Sequence, residues 1–306
     1  MPSGEFELIY RYFASLGSGP GVALGVGDDA ALLQLRPGQQ LVTSVDTLLA
    51  DVHFPEDAFP EDIAYRAVAV AASDLAAMGA EPLAMTLALS LPEADEFWLH
   101  SFSQGLAAAS RDCQLPLVGG DTTRGGLAIS VNVMGQLPEG QALLRSGARP
   151  GEYFCVSGSL GDGAGGLAVQ RAGLELSPEH AEYLWQRFYR PQPELALGMA
   201  LRGIASAAID VSDGLLADAG HIAAASGVRI VIDAKHLPLS PALTSLPDRE
   251  VVLAWALSGG DDYRLAFTLP SEAALPEGCS IIGEVTAGEG VDCPAVIDID
   301  PGYQHF

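Results

Sequence analysis

Pro60-Glu61-Asp62-Ile63, continued by the Ala/Val-rich run to Met78-Gly79-Ala80-Glu81-Pro82, decides how the first half of this chain folds. A proline with two early acids opens a helix, the apolar run from Ile63 to Met78 carries it, and Gly79 and Pro82 stop it. Residues 83 to 91 then read as a strand. Working outward, residues 41 to 45 and 127 to 135 also read as strands, the second alternating apolar with small or polar side chains at period two. A further helix covers 94 to 112. Strand, helix, strand, helix, strand predicts an α+β domain over residues 1 to 138, bounded by the turn Pro138-Glu139-Gly140. A second domain, 139 to 306, starts its regular structure with the strand 153 to 157. That strand runs into the glycine-rich stretch Gly158 to Gly166, whose glycines precede a helix in the manner of an anion-binding helix start. Helices at 178 to 189, 193 to 205 and 214 to 226 follow, with strands near 207 to 211, 228 to 233, 263 to 268 and 280 to 285. The expectation is a two-domain α/β (α+β) protein.

With 306 residues the chain can bury a large core, and 49% hydrophobic against 18% charged residues excludes general disorder. The formal charge of -24 disfavours nucleic acid and anionic membrane, both polyanions, and favours metals and cationic ligands. Among 15 basic residues only Lys235 is a lysine, and it sits in Asp233-Ala234-Lys235-His236. A P-loop and a protein-kinase strand lysine are therefore both unavailable. Cys113, Cys155, Cys279 and Cys293 are scattered, and no apolar stretch reaches membrane-span length, so a reduced, cytoplasmic location is expected.

Six acidic knots set in small residues recur along the chain: Gly27-Asp28-Asp29-Ala30, Ser44-Val45-Asp46, Ser73-Asp74, Gly119-Gly120-Asp121-Thr122-Thr123, Asp210-Val211-Ser212-Asp213-Gly214 and Gly259-Gly260-Asp261-Asp262-Tyr263. Hard divalent cations take oxygen ligands, and small neighbours let phosphate approach the backbone, so the pattern fits a magnesium-phosphate site. Each knot alone also has a plainer reading. Asp74 lies late in an apolar helix, where it either meets a metal or turns to solvent and caps the helix end. Asp29 and Asp46 are expected at strand ends as ligands or turn caps, and Asp121 after a strand that ends in two glycines. Ser212 or Asp213 suits a helix N-cap whether or not a metal binds. Arg145 suits either a nucleotide phosphate or the surface, and His53 either a ligand or a packed position. No nucleophile-base pair stands out, and a phosphate acceptor, mostly anionic at neutral pH, would need none.

Taken in order, Gly4-Glu5-Phe6-Glu7-Leu8-Ile9, the Gly27 knot, Asp51-Val52-His53-Phe54, Ser73-Asp74-Leu75-Ala76-Ala77-Met78-Gly79-Ala80, the Gly119 knot, Arg145-Ser146-Gly147-Ala148, Asp210 to Leu215, Gly259 to Tyr263 and the terminal Gly302-Tyr303-Gln304-His305-Phe306 closely resemble the thiamine-monophosphate kinase family. The resemblance spans the chain. It implies a two-domain fold of the aminoimidazole ribonucleotide synthetase type, dimerising through the N-terminal domain. It also implies transfer of the γ-phosphoryl of ATP directly to thiamine phosphate. Several magnesium ions would be held by Asp29, Asp46, Asp74, Asp121, Asp210 and Asp213, with Ser44 and the carbonyl of Val45. Gly120, Asp121, Arg145 and Ser212 would contact ATP, and His53, Asp261 and Tyr303 the thiamine phosphate. The family usually has Thr where this chain has Val45, and Glu where it has Asp261. Two sister enzymes, selenophosphate synthetase and a hydrogenase maturation enzyme, are disfavoured because their N-terminal Cys and Lys, or C-terminal Cys, have no counterparts here. A metal- or nucleotide-binding module without turnover is the alternative from another class.

Overall fold

A computed structural model describes residues 5–171, 174–294 and 302, and the chain divides into two compact units. The first comprises the residues up to Leu75 together with Ala80–Gly140. Its elements are α1 (Glu5–Tyr12), β1 (Val22–Leu24), β2 (Leu32–Leu33), β3 (Gln39–Leu49), α2 (Pro60–Ala77), β4 (Glu81–Leu91), α3 (Glu96–Asp112), β5 (Leu117–Arg124) and β6 (Ala128–Pro138). Four of the strands form a sheet in the order β3-β6-β4-β5, antiparallel except for β4 and β5, which α3 links in parallel. Along β6, Ile129, Val131 and Val133 are buried while Ser130, Asn132 and Met134 are half-buried, so the period-two reading marks the face that packs inward. Helix α2 is buried almost all round from Ile63 to Ala77, which explains why its residues are mostly apolar, with Arg66, Ser73 and Asp74 the exceptions. Asp95 caps α3, its carboxylate accepting from the Trp98 N–H at 2.7 Å.

The second unit comprises Ala76–Gly79 and the chain from Gln141 onward. Its elements are β7 (Tyr153–Ser157), α4 (Asp162–Gln170), α5 (Pro178–Tyr189), α6 (Leu195–Leu201), β8 (Ala207–Asp210), α7 (Leu215–Ser226), β9 (Arg229–Ile232), α8 (Pro241–Thr244), α9 (Arg249–Ser258), β10 (Leu265–Leu269), β11 (Cys279–Thr286) and β12 (Gly290–Asp292). The six strands form one sheet in the order β12-β9-β11-β7-β10-β8, all antiparallel except β12 with β9. Phe154, Val156, Ile209, Leu215, Ile222, Ile230 and Ile282 form its main core. Helix α9 falls where the sequence had suggested no element. It forms because the Asp248 carboxylate accepts from the N–H groups of Glu250 and Val251 and its buried Val252, Ala256 and Leu257 have a core to meet.

Helices α2 and α3 meet backbone to backbone at Gly105, where a Cβ atom would lie 1.9 Å from the Glu61 carbonyl oxygen. Gly105→Ala is therefore expected to lower stability by about 1–3 kcal/mol through overpacking, read as a lower urea midpoint. An unchanged midpoint would show that the two helices separate freely.

Candidate active site

Asp46 stands in the middle of β3, opposite Val131, and not at a strand end as expected. The strand continues because β6 supplies an unbroken pairing partner from Gln39 to Leu49. Alternation turns Val42, Ser44, Asp46 and Leu48 to the more covered face and Thr43, Val45 and Thr47 outward. The Ser44 hydroxyl donates to Asp74 Oδ2 at 2.5 Å, so Asp74, half-buried near the end of α2, is turned to β3. Burial first, and the charge of Asp74 second, push the Asp46 carboxyl up to about 6. Val45 sends its side chain outward, 60% exposed. Its neighbour's carbonyl, on Ser44, accepts from the Asn132 amide at 2.8 Å.

Asp29, Gly120 and Asp121 come together elsewhere in the same unit, around a cavity of about 700 Å³ that Asp28, Gly119 and Thr86 also line. Asp121 was expected just after a strand that ends in Gly119-Gly120. Instead β5 runs through both glycines and Asp121 pairs with Ala88. The glycines permit this, since a Cβ on Gly120, at φ 151, would lie 1.8 Å from the Leu87 carbonyl oxygen. His53 follows β3 in a turn whose Asp51 has φ 61, and His53 Nδ1 accepts from the Leu49 N–H at 3.0 Å.

In the second unit, two of the acidic knots lie side by side. The Asp261 N–H donates to the Ser212 carbonyl at 2.9 Å and the Tyr263 N–H to the Val211 carbonyl at 2.8 Å. Two buried carboxylates, Asp218 outside the acidic knots and Asp262 within the last of them, hold these turns. Asp218 Oδ2 accepts from the N–H groups of Ser212, Asp213 and Gly214 at 3.0, 3.2 and 3.2 Å, because a helical side chain leans back toward its own N-terminus. An acid in the first turn of α7 was the available signal. Asp262 accepts from the Gly161 N–H at 2.7 Å and the Gly163 N–H at 3.1 Å. The glycine-rich start of α4 was expected to receive an external anion, and the protein's own carboxylate fills it. Ser212 and Asp213 do not N-cap α7 with their side chains; Gly214 holds that position.

The main chain of Arg145 lies away from that of Ser212. Its carbonyl accepts from the Ser226 hydroxyl at 3.2 Å, at the C-terminal end of α7, a 12-residue helix about 18 Å long, whereas Ser212 lies at the other end. Gly302 packs on the Asp213 carbonyl and Ala217, and Tyr303 lies outside the described residues. Among the described residues, no three His, Cys, Asp or Glu side chains are drawn together tightly enough to enclose a metal ion. The donors nonetheless suit magnesium. Magnesium commonly takes one or two carboxylates and completes its shell with water and phosphate oxygens. The charge of Asp74 helps raise the Asp46 carboxyl, and those of Asp210 and Asp213 help raise Asp218, after burial in each case.

Burial pushes Asp218 up to about 8, with Asp210 and Asp213 adding to it, and burial likewise pushes Asp262 up to about 7 against the pull of the two glycine amides. Together with Asp46, these three carboxyls have folded-state values above the usual 3.8. The folded protein then binds more protons than the unfolded chain, and their contribution is lost as pH rises through the folded values. Thermal midpoints of the protein without metal or nucleotide should accordingly fall between about pH 5 and pH 8. A midpoint that rose across this range would contradict the placement of these carboxyls.

The AIR synthase related protein N-terminal domain model matches residues 27–137, and the corresponding C-terminal domain model matches residues 149–294. The thiamine-monophosphate kinase of Salmonella typhimurium is 47% identical, with 100% of this chain and 99% of that protein covered. The crystal structure of thiamine-monophosphate kinase from Stenotrophomonas maltophilia K279a superposes with a TM-score of 0.88 at 46% identity, covering 96% of this chain and 98% of that one. AaThiL complexed with AMPPCP and TMP superposes with a TM-score of 0.82 at 33% identity, covering 99% and 97%. With similarity running through both domains and nearly the full length of each relative, the chain belongs to the thiamine-monophosphate kinase family of AIR synthase related proteins.

Proposed function

We propose that this chain, an ATP-dependent kinase of thiamine monophosphate, passes the γ-phosphoryl group directly and in line to the acceptor phosphate, giving thiamine diphosphate, with magnesium as the required metal. The observation that carries the reading is the similarity, over 99% of this chain, to a ThiL complex with AMPPCP and TMP. The first unit would offer Asp29, Asp46, Asp74 and Asp121 to magnesium, with Ser44 and the Val45 carbonyl, and the second would offer Asp210 and Asp213. Magnesium bound there would neutralise phosphate oxygens and stabilise charge in the transition state. Ser44 helps fix the Asp74 carboxylate, and Asp218 fixes the main chain that carries Ser212 and Asp213. Gly120 lines the same cavity as Asp29 and Asp121, which supports it as a nucleotide contact. The resemblance alone supports Arg145 as a nucleotide contact.

For the acceptor, His53, Asp261 and Tyr303 are the proposed contacts. Asp261 is set beside Ser212 by a main-chain hydrogen bond, and Gly302, one residue before Tyr303, packs on Asp213. The cationic thiazolium ring suits an aromatic face and an acidic field. An acceptor phosphate is already mostly anionic at neutral pH, so no general base is needed; the hydroxyl of free thiamine would need one.

A homodimer through the first unit's sheet and a cytoplasmic location complete the reading. Leu41, Val45 and Leu49 are 51%, 60% and 40% exposed on the outer face of β3, an apolar row that a second copy would cover. No described helix is long and apolar enough to cross a membrane.

Incubation with ATP, magnesium and thiamine monophosphate, beside a parallel reaction with thiamine, tests the chemistry. Thiamine diphosphate should form from the monophosphate and hardly any product from thiamine, and equal use of both would defeat the direct-transfer mechanism. Asp74→Asn and Asp121→Asn should each lower kcat by about two orders of magnitude or more while leaving the urea midpoint near that of the parent, because an amide cannot replace a charged ligand. Near-normal turnover in both would remove them from the site. Light scattering at micromolar concentration should report a dimer, and a monomer would refute the proposed interface.

A further inference from the structure

The turn Gly260-Asp261-Asp262-Tyr263 contains three residues in the left-handed region: Gly260 at φ 67, Asp261 at φ 61 and Tyr263 at φ 51. Two of them are not glycine, and such strained residues persist only where the surroundings over-determine them. Here the surroundings do. Asp262, buried between the two, spends one carboxylate oxygen on the Gly161 N–H at 2.7 Å and the other on the Gly163 N–H at 3.1 Å. Its carbonyl accepts from Arg187 Nη2 at 3.1 Å. On the other side, the N–H groups of Asp261 and Tyr263 are held by the Ser212 and Val211 carbonyls. The start of α4 presses directly on the turn: a Cβ on Gly163 would lie 2.3 Å from the Asp261 carbonyl oxygen. Finally, the Tyr263 hydroxyl donates to Asp261 Oδ1 at 3.0 Å, fixing the direction of that carboxylate.

We infer that Asp262 is a positioning residue for the acceptor: its buried carboxylate clamps the strained turn to the start of α4, and with Tyr263 it sets the Asp261 side chain where thiamine monophosphate meets it. The inference rests on the reading of Asp261 as an acceptor contact. Asp262 is enclosed by main-chain amides and touches no substrate, so its effect passes through Asp261. Only the acceptor side of the reaction should then respond.

The test compares KM for thiamine monophosphate and for ATP in the parent, Asp261→Ala, Asp262→Asn and the double variant. Asparagine keeps one accepting oxygen and sets an NH₂ group against the other glycine amide, which loosens the clamp. Both single variants should raise the acceptor KM by about tenfold or more and leave the ATP KM within about twofold, and the double variant should be no worse than Asp261→Ala alone, because the two act as one unit. A parental acceptor KM in Asp262→Asn, or an equal rise in both KM values, would overturn the inference while leaving Asp261 in place if Asp261→Ala shows its own effect. An unchanged acceptor KM in Asp261→Ala would overturn the acceptor assignment and the inference with it. Should Asp262→Asn not fold, Tyr263→Phe removes the last link without disturbing packing. It should raise the acceptor KM about threefold, and no rise would count against the inference.

Discussion

Buried carboxylates that collect main-chain N–H groups hold the second unit's two acidic turns in shape. Strand-to-helix turns made of glycine and serine expose amides that no helix or sheet satisfies, and each such amide left unpaired in the interior costs about 1–3 kcal/mol. Asp218 takes three of them and Asp262 two. The arrangement reverses the common use of a helix start as a receptor for a bound anion. At α4 the anion is internal, so rigidity is gained where a binding site would otherwise be. The neighbouring residues Asp210, Asp213 and Asp261 are then carried on a backbone that does not depend on ligand for its conformation.

The first unit meets a related problem with different means. Asp46 projects from a sheet and Asp74 from a helix packed on it, and the Ser44 hydroxyl supplies a hydrogen bond to Asp74. Burial first, and the neighbouring Asp74 charge second, raise the Asp46 carboxyl, a cost that a cation would relieve. Little cationic help comes from the protein. Several basic groups already have structural partners: Arg264 pairs with Glu194 at 2.5 Å, and Arg187 bonds the Asp262 carbonyl. Under the proposed function, a chain with a charge of -24 would draw the positive charge that phosphorylated substrates need from bound metal.

Nucleophilic chemistry is not invited by the cysteines. Burial pushes the Cys113 and Cys155 thiols up to about 12 and Cys279 up to about 11, far from the thiolate that would react at neutral pH. The proposed site would offer positioned oxygen ligands, which suits a reaction whose main demand is alignment and charge neutralisation.

Residue chemistry and local pattern determined a good deal without coordinates. Period-two alternation marked β6, the proline and early acids opened α2, and the acidic, small-residue knots located the positions proposed for metal and phosphate. Tertiary structure decided which of those acids meet. Asp46 became mid-strand because β6 offers continuous pairing, and Asp121 stayed in β5 because glycine fits against Leu87. Asp74 faced Ser44, a choice that helix position alone left open between metal and solvent. Asp218 and Asp262 were not legible as supports, since their role lies in which backbone amides surround them. Those of Gly161 and Gly163 are about a hundred residues away in sequence from Asp262 and reach it only when strands distant along the chain pair into one sheet.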